Sequence, residues 1–119
     1  MSRDLTYLLD ITRAVRLAIS FVKGYDRATF YDDDKTQSAV LHQLLLIGEV
    51  TKRLSDSLKS DNPDIPWRQI AGMRDKLIHD YDDVDLSQVW KTVQSNLPEL
   101  LSRLEQMIPN EEQDSNEFL

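Results

Sequence analysis

Apolar residues return at steps of three and four along most of the chain, the signature of helices with a buried face. Leu5, Leu8, Leu9, Thr12, Val15, Ile19 and Val22 follow one such line, and Ile11, Ala14, Ala18 and Phe21 form a second stripe beside it. The pattern predicts a first helix over Arg3–Lys23 with two packing partners, stopped at Gly24 by a residue suited to left-handed backbone. Tyr25–Asp33 reads as a connection. Asp32, Asp33 and Asp34 then offer caps for a second helix that runs to about Lys59 along Val40, Leu44, Ile47, Thr51, Leu54 and Leu58. A neighbouring stripe, Leu41, Leu45, Gly48 and Ser55, includes small residues that let another helix approach closely.

Asp61–Pro66 is a loop by composition. A short third helix is expected over Trp67–His79, with Ile70, Met73 and Leu77 as its apolar line. Asp82–Asp85 breaks the pattern, and Asp85 or Ser87 caps a fourth helix that runs to about Met107. Leu86, Val89, Trp90, Val93, Leu97, Leu100, Leu101, Leu104 and Ile108 make its long core face. Pro98 falls inside it and either bends the helix or divides it in two. The expected fold is all-α, an antiparallel bundle of four to five helices occupying residues 1–108.

Composition adds three constraints. The 119 residues make one domain, and the absence of cysteine excludes a disulfide scaffold, a thiolate metal site and a cysteine nucleophile. No apolar run reaches the roughly 18 residues of a membrane span, and no leader pattern opens the chain, so a cytoplasmic protein is expected. The net charge is −7, which opposes a general nucleic-acid coat function. Part of that charge sits in the segment 109–119, where Glu111, Glu112, Asp114 and Glu117 stand without a basic residue; removing them leaves −3 on the remainder. The segment reads as an acidic disordered tail.

The chain has two histidines. His42 lies mid-helix among leucines and has no second histidine at a helical i+4 spacing, so it reads as a packed or partly exposed helix residue and no metal site is expected. His79 stands in the run Arg74-Asp75-Lys76-Leu77-Ile78-His79-Asp80-Tyr81. One reading is structural: Arg74 pairs with a surface carboxylate, His79 ends a helix, and Tyr81 packs its ring. The other is chemical. Metal-free RNA cleavage needs a base for the 2′-hydroxyl proton and a cation for the charge that builds on the phosphate. Histidine titrates near neutral pH and suits the first task; arginine offers a fixed fork of donors for the second. Spacing sets a condition. Five residues at about 100° each leave Arg74 and His79 about 140° apart on a helix. Either the helix unwinds before His79 or two chains supply the site, and a two-fold homodimer with a composite cleft is favoured.

The Arg74–Tyr81 run resembles the Arg-x4–6-His-x-Tyr motif of HepT-type proteins of the HEPN superfamily. Leu46–Ser55 is similar to that family's second-helix signature, Pro66–Met73 to its lead-in to the motif, and Asp85–Leu104 to its last helix, so the likeness spans about residues 3–108. The resemblance implies a helical bundle that dimerises around both motifs. It implies a metal-independent endoribonuclease acting as the toxin of a toxin–antitoxin system, with Arg74 and His79 catalytic and Asp75 and Tyr81 in support. It also implies a minimal nucleotidyltransferase as antitoxin, able to transfer AMP from ATP to Tyr81, and no cofactor. Adding nucleotide there brings bulk and negative charge beside the arginine and histidine, which should exclude an RNA phosphate. Arg68 and Lys76, with Lys52 and Arg53, are the candidate RNA-binding cations. The alternative is a non-catalytic partner and substrate of the nucleotidyltransferase. A plain helical interaction protein is a third reading, which leaves the motif match to coincidence.

Overall fold

A computed structural model describes residues 3–80 and 82–109. It is all-helical: α1 (Asp4–Phe21), α2 (Arg27–Tyr31), α3 (Asp34–Thr51), α4 (Asp56–Asp61), α5 (Trp67–His79), α6 (Leu86–Lys91), a π-helical turn (Thr92–Asn96) and α7 (Leu97–Met107). The expected helical bundle is therefore observed, with two short helices added to four long rods. Among the described residues no helix is long and apolar enough to cross a membrane. Residue Tyr81 and the segment 110–119, which holds nearly all of the expected acidic tail, lie outside the described residues.

The core forms where α1, α3 and the α6–α7 rod meet. Ile11, Val15, Val40, Ile47, Val93 and Leu104 are essentially inaccessible there. The two apolar stripes of α1 find their two partners, α3 and α7. Gly24 takes φ 82°, the left-handed conformation expected after the first helix.

Three departures from the periodic reading have local causes. Within Tyr25–Asp33 the chain forms α2, capped by the Asp26 carboxylate, which accepts from the Thr29 N–H at 2.8 Å. The helix drives Phe30 into the core against Trp90, with ring centroids 5.3 Å apart. Its exit is fixed by Asp33, which caps α3 through the Thr36 N–H (3.0 Å) and hydroxyl (2.7 Å) and also accepts from the Tyr25 hydroxyl (2.7 Å). The hydroxyl donors of Thr36 and Tyr25, with the Thr36 N–H, hold the Asp33 carboxyl down at about 2.

The second predicted helix divides. α3 ends at Thr51, and Ser55 adopts extended backbone to cap α4, its hydroxyl accepting from the Leu58 N–H. Asp4 at the start of α1 draws the break into place by accepting from both the Ser55 N–H (2.9 Å) and its hydroxyl (2.5 Å). Start of α1 and end of α3 thus lie together, which sets the two helices antiparallel. Leu54 stays buried through the turn, so the apolar period continues where the helix does not.

Pro98 sits in the first turn of α7, and the turn before it widens to π geometry, with the Leu97 N–H bonded to the Thr92 carbonyl. A proline ring clashes with the carbonyl four residues back and lacks a donor. The π turn absorbs both defects and keeps Val93, Leu97 and Leu100 facing inward.

Candidate active site

α5 carries the motif. Trp67 anchors its start: the side chain is buried, and its indole N–H donates to the Asn62 carbonyl at 3.0 Å. Pro66 precedes it as N-cap, and the last turn places Lys76 and His79 at the negative end of the helix dipole. The helix continues without a break through His79. Arg74 and His79 therefore remain about 140° apart around one helix. Of the two geometries open to the sequence, unwinding before His79 does not occur.

Arg74 faces α3, and Gly48 makes that approach tight. A Cβ on Gly48 would lie 2.7 Å from the Arg74 Cβ and 2.9 Å from its backbone nitrogen. The small residue expected to admit a helix thus admits α5 at the motif arginine. The guanidinium then meets two carboxylates, Glu49 Oε2 at 3.1 Å from Nε and Asp75 Oδ1 at 3.1 Å from Nη1. Lys52 Nζ reaches the same Asp75 oxygen at 2.7 Å, and Arg53 approaches Glu49 at 3.8 Å. Hydrogen bonds from Lys52 and Arg74 lower the Asp75 pKa from its usual value.

The network holds three cations and two carboxylates. Its members are well exposed, with 38% of the Arg74 side chain and 40% of Glu49 open to solvent. Exposed pairs of this kind contribute about 0–1 kcal/mol each. A phosphate can therefore compete for the arginine at small cost.

The pairing expected by the structural reading of the run is thus present, and it coexists with an accessible guanidinium. Glu49 was not singled out by spacing, although it follows Gly48 in the second-helix signature. An acid one residue from a helix–helix contact glycine was the available signal.

The other predicted residues divide by face. Asp75, Lys52 and Arg53 gather around Arg74. Arg68 and His79 are exposed and share one side of α5, eleven residues and about three turns apart. Lys76 does not join Arg74; it lines a groove between α5 and the α6–α7 rod. His42 is exposed on α3. Tyr81 lies outside the described residues.

Two exposed apolar side chains frame the network. Ile78 is 49% exposed and follows Arg74 by one turn of α5; Leu46 is 40% exposed and precedes Glu49 by one turn of α3.

Comparison with known proteins identifies the family. The chain is 43% identical over 101 residues to the probable ribonuclease HepT of Thermococcus cleftensis, covering 85% of this chain and 92% of that protein. It is 36% identical over 112 residues to a Methanocaldococcus jannaschii protein named "Putative RNase MJ0125", covering 93% and 97%. No solved structure matches the chain significantly. The family model described as "Ribonuclease HepT-like" matches residues 11–107, a span that includes the α3–α5 contact and the whole of α5, and the chain belongs to that HepT-like ribonuclease family.

Proposed function

We propose that the protein is a metal-independent endoribonuclease, the toxin of a toxin–antitoxin pair, working as a homodimer. The observation that carries this reading is the unbroken α5. It holds Arg74 and His79 on different sides of one helix, so one chain does not aim both at a single phosphate. Dimerisation across the Leu46–Ile78 surface supplies the partner copy and buries the exposed apolar residues beside Arg74. In the resulting cleft His79 takes the proton of a 2′-hydroxyl as its oxygen attacks phosphorus. Arg74 leaves its carboxylates to bind the phosphate and offset the charge that builds on it. Protonated His79 gives the proton back to the 5′-oxygen, which departs as a hydroxyl, and a 2′,3′-cyclic phosphate remains. DNA lacks the attacking hydroxyl, so RNA is selected.

The acidic balance of the chain is compatible with this role because Arg74, Lys52, Arg53 and the exposed Arg68 outnumber Glu49 and Asp75 by two charges near α5, and a dimer doubles that local excess. The antitoxin in this reading is a nucleotidyltransferase that adds AMP to Tyr81, next but one to His79. The protein treated with that enzyme and ATP should gain mass in steps of one AMP, and Tyr81→Phe should gain none. An equal gain in Tyr81→Phe moves the modification elsewhere.

The test of the activity is incubation of the unmodified protein, its intact mass verified, with total RNA in EDTA. Wild type should cut and leave cyclic phosphate ends. Arg74→Ala should cut slower by about 10²- to 10³-fold, the usual loss for one donor to a transition-state oxyanion. No cleavage by unmodified protein would leave a non-catalytic partner of the nucleotidyltransferase as the better reading.

A further inference from the structure

α5 packs chiefly against one neighbour. It lies against α3, whereas a groove of about 870 Å³ separates it from α6, the π turn and α7. Leu44 and Ile47 of α3 and Leu97 and Leu100 of α7 form its floor and are themselves buried, so the accessible apolar surface comes from its walls, where Val84 is half-buried. On the α5 wall Ile70, Met73 and Leu77 are only half-buried. An apolar trough beside a helix 13 residues long, about 20 Å, matches an amphipathic helix of roughly three to four turns.

The rim defines the occupant. Asp64, Asp80, Asp83, Asp85 and Glu99 line the groove against Lys76 and Arg103, an excess of three negative charges. Arg103 is already committed, paired with Asp64 and with Glu99 at one end. At the other end Asp80 and Asp83 have no cationic partner among the described residues. Such a rim repels an RNA phosphate. It also repels the chain's own segment 110–119, which has four acidic residues and no basic one, and the second copy is already assigned to the Leu46–Ile78 surface.

We propose that this groove docks a basic amphipathic helix of a partner protein, with apolar residues at i, i+3 or i+4, and i+7 on the trough and Lys or Arg against Asp80, Asp83 and Asp85. The groove and the Arg74 network lie on different sides of α5. The inference goes beyond the nuclease reading and stands whether or not the protein cuts RNA.

The experiment uses the full chain and a fluorescein-labelled 15-residue peptide of leucine and lysine at helical spacing, titrated by anisotropy. Two double variants change the charge equally, Asp80→Lys/Asp83→Lys at the rim and Asp10→Lys/Asp32→Lys at exposed positions that do not line the groove. Thermal melts check that both are folded. Binding should weaken about tenfold or more in the rim variant and stay within about twofold in the other, since rim charges act over no more than about a Debye length. Hydrogen exchange on the wild-type complex should show protection in α5 and α7, a readout that survives even if the rim variant does not fold. Equal weakening by both variants, protection confined to other helices, or no binding by wild type overturns the proposal.

Discussion

The His79→Ala protein is expected to fold normally and to lose RNA cleavage by about 10²- to 10⁴-fold, the range for removal of a general acid–base group. Growth arrest in cells should be lost with it. The fold should not notice. His79 is the last residue of α5 and is exposed, and surface changes of this kind alter stability by about 0.5 kcal/mol or less. Unaltered toxicity would remove His79 from the mechanism. The proposed composite cleft makes a sharper demand. Arg74→Ala and His79→Ala proteins, each inactive alone, should regain activity when unfolded together and refolded as mixed dimers. In a mixed dimer one cleft receives His79 from one chain and Arg74 from the other. Random mixing makes about half of the dimers mixed, each with one intact cleft of two, so about a quarter of wild-type activity should return. If both residues act from the same chain, no mixed dimer contains an intact site and no activity returns.

Much of the helix layout was legible from spacing. α5 is observed over Trp67–His79, as predicted, because a proline, an aromatic anchor and a run of aspartates punctuate it unambiguously. The 140° between Arg74 and His79 followed from the same arithmetic. α2 was not legible, because five residues are too few for a period and its cause is the Asp26–Thr29 cap with Phe30 seeking the core. The break after Thr51 was hidden because Leu54 and Leu58 stay in phase while Asp4, fifty-one residues before Ser55, fixes the turn. Long-range polar contacts of that kind leave no local pattern. Lys76 marks the same boundary between local and tertiary information. Two residues from Arg74 on a helix means about 200° of rotation, which excludes a shared direction. The groove it faces depends on α5 standing apart from α6 and α7, which no periodicity encodes.

The second large effect is expected at Gly48, and a matched glycine gives it a control of opposite sign. Alanine for glycine inside a helix ordinarily stabilises by about 0.5–1 kcal/mol, because the backbone loses less entropy on folding. Gly72, on the open side of α5, has nothing within 4 Å of a new Cβ, so Gly72→Ala should realise that gain and raise the melting temperature by several degrees. At Gly48 the new Cβ meets the Arg74 Cβ at 2.7 Å, its nitrogen at 2.9 Å and the Ile70 carbonyl at 3.2 Å. None of these atoms is the free end of a side chain, so α3 and α5 must move apart. Overpacking of this kind costs about 1–3 kcal/mol, which exceeds the propensity gain and should lower the melting temperature of Gly48→Ala. The same displacement carries Arg74 away from Glu49 and out of register with the cleft. Cleavage by Gly48→Ala should therefore fall further than its fraction unfolded accounts for, measured at a temperature where denaturation is negligible. A Gly48→Ala protein as stable and as active as Gly72→Ala would mean that the close α3–α5 contact does not set the position of the arginine. The separation of the two signs, from one chemical change at two glycines 24 residues apart, isolates helix approach from helix propensity and ties the packing of the bundle to the geometry of its site.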